Sequence, residues 1–134
     1  MSDTEMSPSG VLAVLPCDDV EKALRYYTET LGFKELFRQP GPDDKLVDAR
    51  VTYAGGQVML NLNPDMAPHA GGGVYLWFRL FEDDIDELYH RFTRAGVNIV
   101  EEIGDRFWGD RSFTVTDHAG FHLAFNKALA TEHS

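Results

Sequence analysis

The chain has 134 residues, which is the length of one domain or of two small halves that share a core. Hydrophobic residues make up 43% and charged residues 25% of the chain, and this ordinary globular usage excludes disorder of the whole chain. The formal net charge is −10, so nucleic acid is not an expected partner. Such a charge keeps a protein soluble, and it also attracts cationic ligands.

The sequence also bears on compartment. No run of residues approaches the roughly 18 apolar residues of a membrane helix, and no membrane association is expected. The first ten residues are polar and lack the pattern of a signal peptide. The single cysteine, Cys17, excludes an internal disulfide and a cysteine-rich zinc site. We therefore expect a cytoplasmic protein.

The first structured block is predicted over residues 11–63. It opens with an apolar strand at 11–17. Asp18 and Asp19 are suited to cap a helix, whose apolar residues recur with a 3.6-residue period and which ends at Gly32. Turn residues then separate three short strands, at 33–39, 47–53 and 57–63.

The second block, residues 74–127, repeats this order. A strand at 74–80 precedes a helix that Asp83 and Asp84 cap and Gly96 ends. Three strands follow, at 98–102, 111–116 and 121–126.

An internal duplication relates the two blocks. The segment that begins at Asp18 matches the one that begins at Asp83, at an offset of 65 residues. Each block is β-α-β-β-β, so the predicted fold class is α+β with two tandem modules. A linker at 64–73 joins them, and flexible ends are predicted at 1–10 and 128–134.

Alternation in the last strand indicates how such a sheet is used. Phe121, Leu123 and Phe125 fall on one face, which is expected to pack on a helix. The opposite face, with His122 and Ala124, is more polar and free to line a cavity or a partner surface.

Two motifs carry a resemblance to a known family. One is the helix DDVEKALRYY at 18–27 followed by LGF at 31–33, and the other is FWGDRSFTVTDHAG at 107–120. With them the chain resembles the vicinal oxygen chelate superfamily of glyoxalases, dioxygenases and bleomycin-resistance proteins over residues 11–127. His118 stands where the family usually has proline. The FWG segment, the length and the acidity resemble the bleomycin-resistance branch most. The resemblance implies a cupped, half-open mixed sheet built from the two βαβββ modules, and a homodimer.

Catalytic members of this superfamily hold a metal with His, Gln or Glu at four positions. Here the resemblance places those positions at Leu12, Tyr75 or Trp77, Ala124, and Met59 or Leu60. These side chains are poor ligands or none for a divalent cation. We therefore expect no metal, no other cofactor and no catalytic residue.

A ligand-binding role is predicted instead for a set of aromatic and polar residues. It comprises Trp108, Phe107, Trp77, Tyr75, Met59, Asn61, Asn63, Arg111 and His122. Aromatic rings stack on planar ligands and attract cations, while the polar residues, together with Asn126, are suited to orient a ligand. Some members have alternative interpretations: Trp77 as a core residue, Asn61 and Asn63 as strand-end residues, and His122 as a hydrogen-bonded pocket or surface residue.

Three functions remain open from the sequence. The first is a metal-free protein that binds and sequesters a small molecule, planar and possibly a cationic antibiotic, as the resemblance to bleomycin-resistance proteins implies. The second is a metal-dependent lyase, isomerase or oxygenase, which requires His122 to form a site with Gln57, Glu101 or Glu102. The third is an interaction module that receives another protein.

Overall fold

The computed structural model describes residues 12–69 and 74–129. They belong to two compact units, Met1–Ala70 and Gly71–Ser134, whose boundary falls inside the predicted linker. The predicted flexible start at 1–10 lies outside the described residues, as do 130–134 of the predicted C-terminal end and 70–73 of the linker.

The first unit is a βαβββ module. Its elements are β1 (Ala13–Cys17), α1 (Val20–Arg25), β2 (Lys34–Pro40), β3 (Leu46–Tyr53) and β4 (Gly56–Leu62). The strands form one mixed sheet in the order β1-β4-β3-β2. The β1–β4 pair is parallel and the others are antiparallel.

The first helix begins as predicted and ends differently. The side chain of Asp19 caps α1 by accepting a hydrogen bond from the backbone of Lys22, at 3.1 Å. The predicted continuous α-helix up to Gly32 is wrong over Tyr26–Thr30, which forms a wider π-helical turn. Its physical basis is a hydrogen bond from the Leu31 N–H to the Tyr26 carbonyl, five residues back, at 3.0 Å. Tyr27 is fully buried in this turn.

The second unit repeats the module. Its elements are β5 (Tyr75–Leu80), α2 (Ile85–Arg94), β6 (Asn98–Asp105), β7 (Asp110–Thr116) and β8 (His122–Ala128). The sheet order is β5-β8-β7-β6, with β5 and β8 parallel. The α+β class and the two tandem βαβββ modules are thereby confirmed. Neither α1 nor α2, nor any other helix of the described ranges, is long and apolar enough to cross a bilayer.

Aromatic packing joins α2 to its sheet. The ring of Phe92, on α2, lies 5.5 Å from Phe125 on β8, between ring centres. Phe113 on β7 stacks on Phe125 at 5.4 Å, and all three rings are fully buried. Edge-to-face and offset contacts of this kind add to the burial of apolar area, so this cluster is the core of the second unit.

The predicted strands are right in number and order, but two of them run two or more residues beyond their predicted ends. The sequence predicts β6 to stop at residue 102, whereas the strand runs to Asp105 through register shifts after Ile99 and Glu101. Arg106 supports this extension, because its guanidinium donates to the Glu102 carbonyl at 2.7 Å and to the Ser112 carbonyl at 2.9 Å. Likewise β8 runs to Ala128, into the predicted flexible end.

Candidate ligand-binding site

A pocket of about 370 Å³ lies on the second sheet. It is lined by Tyr75, Trp77, Val100, Glu101, Trp108, Ser112, Thr114, His122, Ala124 and Asn126. In β8 the neighbouring residues Leu123 and Phe125 are fully buried, and Phe125 contacts α2. Because side chains alternate along a strand, His122, Ala124 and Asn126 point away from α2. The pocket therefore occupies the sheet face opposite the helix.

Three large aromatic side chains border this pocket while remaining half exposed. Tyr75 is 56%, Trp77 57% and Trp108 54% exposed. Tyr75 lies beside His122 and Trp77 beside Ala124 in the parallel β5–β8 pair. Of the two interpretations of Trp77, the structure therefore places it on the pocket and not in the core. Apolar rings left in water over a concave surface are suited to contact a ligand.

Trp108 reaches the pocket from the tight loop between β6 and β7. The Gly109 N–H donates to the Arg106 carbonyl at 3.0 Å, and Gly109 has a φ of +100°. Glycine alone adopts this conformation without strain, so the turn depends on its lack of a side chain. Phe107, in the same loop, is 97% exposed and touches the Trp108 ring edge-on at 5.0 Å, but it is not a lining residue.

The polar floor of the pocket is formed by Asn126. The residue is 1% exposed, and its Oδ1 accepts a hydrogen bond from the Arg79 guanidinium at 2.8 Å. Arg79 also pairs with the buried carboxylate of Asp110, at 2.9 Å. The Nδ2 of Asn126 is buried and has no hydrogen-bond acceptor among residues 12–69 and 74–129. Asn126 thus carries an unused donor at the pocket.

One side of the pocket carries an acidic group that sequence reasoning considered only as a metal ligand. Glu101 accepts a hydrogen bond from the Thr114 hydroxyl at 3.2 Å and lies 3.7 Å from the Arg106 guanidinium. The sequence analysis does not name Ser112 and Thr114 as pocket residues, nor does it name Val100. The signal for the first two is the alternation of β7, in which the intervening Phe113 is fully buried.

The structure does not bring Arg111 to this pocket. Its guanidinium pairs with Asp86 and with Asp105, each at 2.8 Å, in a separate shallow hollow beside α2. The hydrogen bond from Arg111 lowers the pKa of the Asp86 carboxyl; burial opposes this less strongly, and the charge of Arg111 lowers the pKa slightly further. Through these ion pairs Arg111 joins β7 to α2 and to β6.

Three predicted site residues lie in the first unit and not at this pocket. Met59 is half-buried on β4. The Nδ2 of Asn61 donates to the carboxylate of Asp48 at 2.8 Å. Asn63 accepts from the Met66 backbone N–H at 3.3 Å, which is the bond expected of a strand-end residue.

The residues at the pocket do not fit a metal centre. The positions that catalytic members use for ligands are here Tyr75 or Trp77 and Ala124, which offer no set of oxygen or nitrogen donors suited to a divalent cation. Over residues 12–69 and 74–129, no three His, Cys, Asp or Glu side chains gather around one point.

Two curated relatives match most of the chain. A protein of Mycobacterium tuberculosis strain H37Rv, described as uncharacterized, is 35% identical over 122 residues, covering 86% of this chain and 72% of the relative. A lactoylglutathione lyase of Neisseria meningitidis is 30% identical over 117 residues, covering 84% of this chain and 85% of the relative.

Solved structures show the same fold. TioX from Micromonospora sp. ML1 has a TM-score of 0.70 and 30% identity, covering 90% of this chain and 99% of that one. TnmS3, an antibiotic binding protein from Streptomyces sp. CB03234, has a TM-score of 0.66 and 30% identity, covering 92% and 98%. The family model for the Glyoxalase/Bleomycin resistance protein/Dioxygenase superfamily matches residues 11–125. The chain belongs to this superfamily.

Proposed function

We propose that the chain binds and sequesters a planar, cationic small molecule of the antibiotic type in the pocket of its second unit, without making or breaking a bond. The observation that carries this proposal is the set of three half-exposed aromatic rings, Tyr75, Trp77 and Trp108, around a pocket of about 370 Å³. That volume lies in the range of small-molecule sites.

Aromatic and acidic groups together favour a flat cation. The faces of Trp77 and Trp108 attract positive charge and offer area for stacking. Glu101 adds a carboxylate to the pocket, and the whole chain carries a formal charge of −10. A cation is therefore attracted from a distance and also at the site.

The likeness to TnmS3 supports the antibiotic class. That protein is described as antibiotic binding, and its sequence is 30% identical to this chain. The pocket residues support binding, because they provide aromatic rings and one amide group and do not form a typical ligand set for a metal.

A metal-dependent lyase is the second candidate. It is favoured by the 30% identity to a lactoylglutathione lyase and by the presence of His122 and Glu101 in one pocket. Elemental analysis of the purified protein distinguishes the two functions. Zinc, nickel, manganese or iron at one ion per chain, lost in a His122→Ala variant, would favour the lyase.

The pocket holds both tryptophans of the chain, so fluorescence excited selectively at tryptophan reports on this site alone. We expect titration with the planar cation proflavine, or with bleomycin, to quench this fluorescence in a saturable way. Calorimetry gives the dissociation constant independently. A panel of such compounds that leaves both signals unchanged would contradict the proposal.

Two pairs of variants locate the binding. Trp108→Ala is expected to weaken binding by roughly tenfold to a hundredfold, or about 1–3 kcal/mol, through loss of stacking. Phe81→Ala is the control, since this ring is also exposed to water, at 76% against 54% for Trp108, but lies outside the pocket. Glu101→Gln is expected to weaken binding of the cation by about threefold to tenfold. Glu102→Gln, one residue along the same strand, removes the same charge away from the lining residues and is expected to have little effect.

A further inference from the structure

We infer that the buried amide of Asn126 donates a hydrogen bond to the ligand. The pocket therefore selects planar molecules with a neutral carbonyl oxygen on their edge. This inference rests on the proposed function and narrows its ligand class. Its basis is the Nδ2 of Asn126, which is buried at the pocket and has no acceptor in the described chain.

The orientation of this amide follows from its neighbour. Arg79 is 2.8 Å from one end of the amide, and a guanidinium can only donate. That end must therefore be the oxygen, which leaves the nitrogen as the free end. Asp110 forms an ion pair with Arg79 at 2.9 Å, so the guanidinium that binds the amide oxygen is itself held in position. The charged donor also polarises the amide and strengthens its N–H groups as donors.

In the first unit, the equivalent asparagine has the hydrogen-bond acceptor that Asn126 lacks. Asn61 occupies the equivalent place on β4, paired with Pro16 of β1 as Asn126 is paired with Arg79 of β5. The residue facing Asn61 on β3 is Asp48, which accepts its Nδ2 hydrogen at 2.8 Å. The residue facing Asn126 on β7 is Ser112.

Ser112 does not replace that acceptor. Its hydroxyl oxygen accepts from the Arg106 guanidinium at 2.9 Å, and no bond joins it to Asn126. A buried donor without a partner lowers the stability of the folded chain. A ligand oxygen bonded to Nδ2 recovers this loss and gains affinity, and because the atom is buried, such a bond requires neighbouring side chains to shift.

The charge of the surroundings decides which acceptor fits. The carboxylate of Glu101 lines the same pocket, 3.7 Å from the Arg106 guanidinium, and the chain carries a formal charge of −10, so the surroundings favour a neutral acceptor over a carboxylate or phosphate. A ketone or amide carbonyl accepts the hydrogen bond without bringing negative charge. The expected ligand is thus a flat ring system with a carbonyl on the edge that enters the pocket.

A matched pair of probes tests this inference. Fluorenone and fluorene, each with the same aminoalkyl chain, differ only in a carbonyl that replaces a methylene group. We expect the wild-type protein to bind the ketone about tenfold more tightly, as one additional hydrogen bond to a buried donor implies. Asn126→Asp removes the donor while keeping an acceptor for Arg79, and it is expected to abolish the preference. Asn61→Asp is the control and is expected to retain it.

A second variant leaves Asn126 in place. Ser112→Asp supplies the acceptor that Asp48 supplies in the first unit, and it is expected to reduce the preference for the ketone to less than twofold. Equal binding of both probes by the wild type would overturn the inference and leave the proposed function standing. A preference that survives in both folded variants would also overturn it. Binding of neither probe would instead count against the proposed function itself.

Discussion

Arg111 illustrates why a side chain of suitable chemistry need not belong to a site. The sequence places it in the last hairpin, among residues expected to orient a ligand. In the folded chain Asp86 on α2 and Asp105 on β6 surround it, and both carboxylates bind its guanidinium at 2.8 Å. These partners are 25 and 6 residues away along the sequence, so no local pattern indicates the ion pairs.

The pair of Asp86 and Arg111 predicts a pH-dependent contribution to stability. Because the hydrogen bond from Arg111 lowers the pKa of Asp86 in the folded state, the contribution is present above the unfolded pKa of about 4 and is lost as the pH falls through the folded pKa. Asp86 is about half exposed, so solvent screening limits the gain to about 0.5 kcal/mol. Asp86→Asn is therefore expected to unfold at lower urea concentration at pH 7, with the difference disappearing near pH 2.

The control for this comparison is Glu87→Gln. Glu87 lies in the same first turn of α2 and has the same relation to the helix dipole, but its contact with Arg94 is longer, at 3.4 Å, and more exposed. A smaller change is expected for it at pH 7. A difference between wild type and Asp86→Asn that persists at pH 2 would show that lost packing, and not the ion pair, is responsible.

The sequence indicates some features of the pocket residues and not others. Strand alternation places His122 on the mixed face of the last strand, whereas for Trp77 the sequence leaves a core position and a pocket position open. Asn126 is recognisable from the sequence as a polar residue on that face. Its free Nδ2 is not, since this depends on which residues face it across the sheet.

The elements of each module were predictable because their signals are local. Asp19 and Asp84 cap α1 and α2 as expected, and the alternating strands of both modules form. The π-helical turn at Tyr26–Thr30 and the extension of β6 to Asp105 were not predictable. Both depend on packing and on long-range hydrogen bonds, such as those that Arg106 makes to the neighbouring strand.

The loop between β6 and β7 predicts a link between backbone conformation and binding. Gly109 has a φ of +100°, and an added Cβ would meet no atom within 4 Å, so the cost of Gly109→Ala is backbone strain alone. That strain is about 1 kcal/mol. Because the loop aims Trp108 at the pocket, we expect this variant to lower both the melting temperature and the affinity for proflavine.

Gly55→Ala is the matched control for the loop. Gly55 has a φ of +83° and equally open space around it, but it lies in the hairpin between β3 and β4 of the first unit. We expect a similar loss of thermal stability with unchanged affinity. Equal loss of affinity in both variants would indicate a general loss of folded protein and not a role of this loop in binding.

The resemblance to bleomycin-resistance proteins predicts a homodimer, and the surface of the second unit is compatible with one. Phe107 is 97% exposed and Val74 72% exposed, and both are large apolar side chains outside the pocket lining. Covering such side chains with a second copy removes apolar area from water. Sedimentation equilibrium at micromolar concentration is expected to give twice the chain mass of 15.1 kDa.

A charged side chain at position 107 tests whether Phe107 lies in the predicted dimer contact. Phe107→Asp places a carboxylate where an apolar ring would be buried, so it is expected to shift the protein towards a single chain of 15.1 kDa. Phe81→Asp adds the same charge at another exposed ring, in the loop before α2, and an intact dimer in this variant alone would assign the contact to Phe107. A single-chain mass for the wild type would contradict the homodimer. Dissociation of both variants would show that added negative charge on an already acidic chain, and not the position of Phe107, separates the copies.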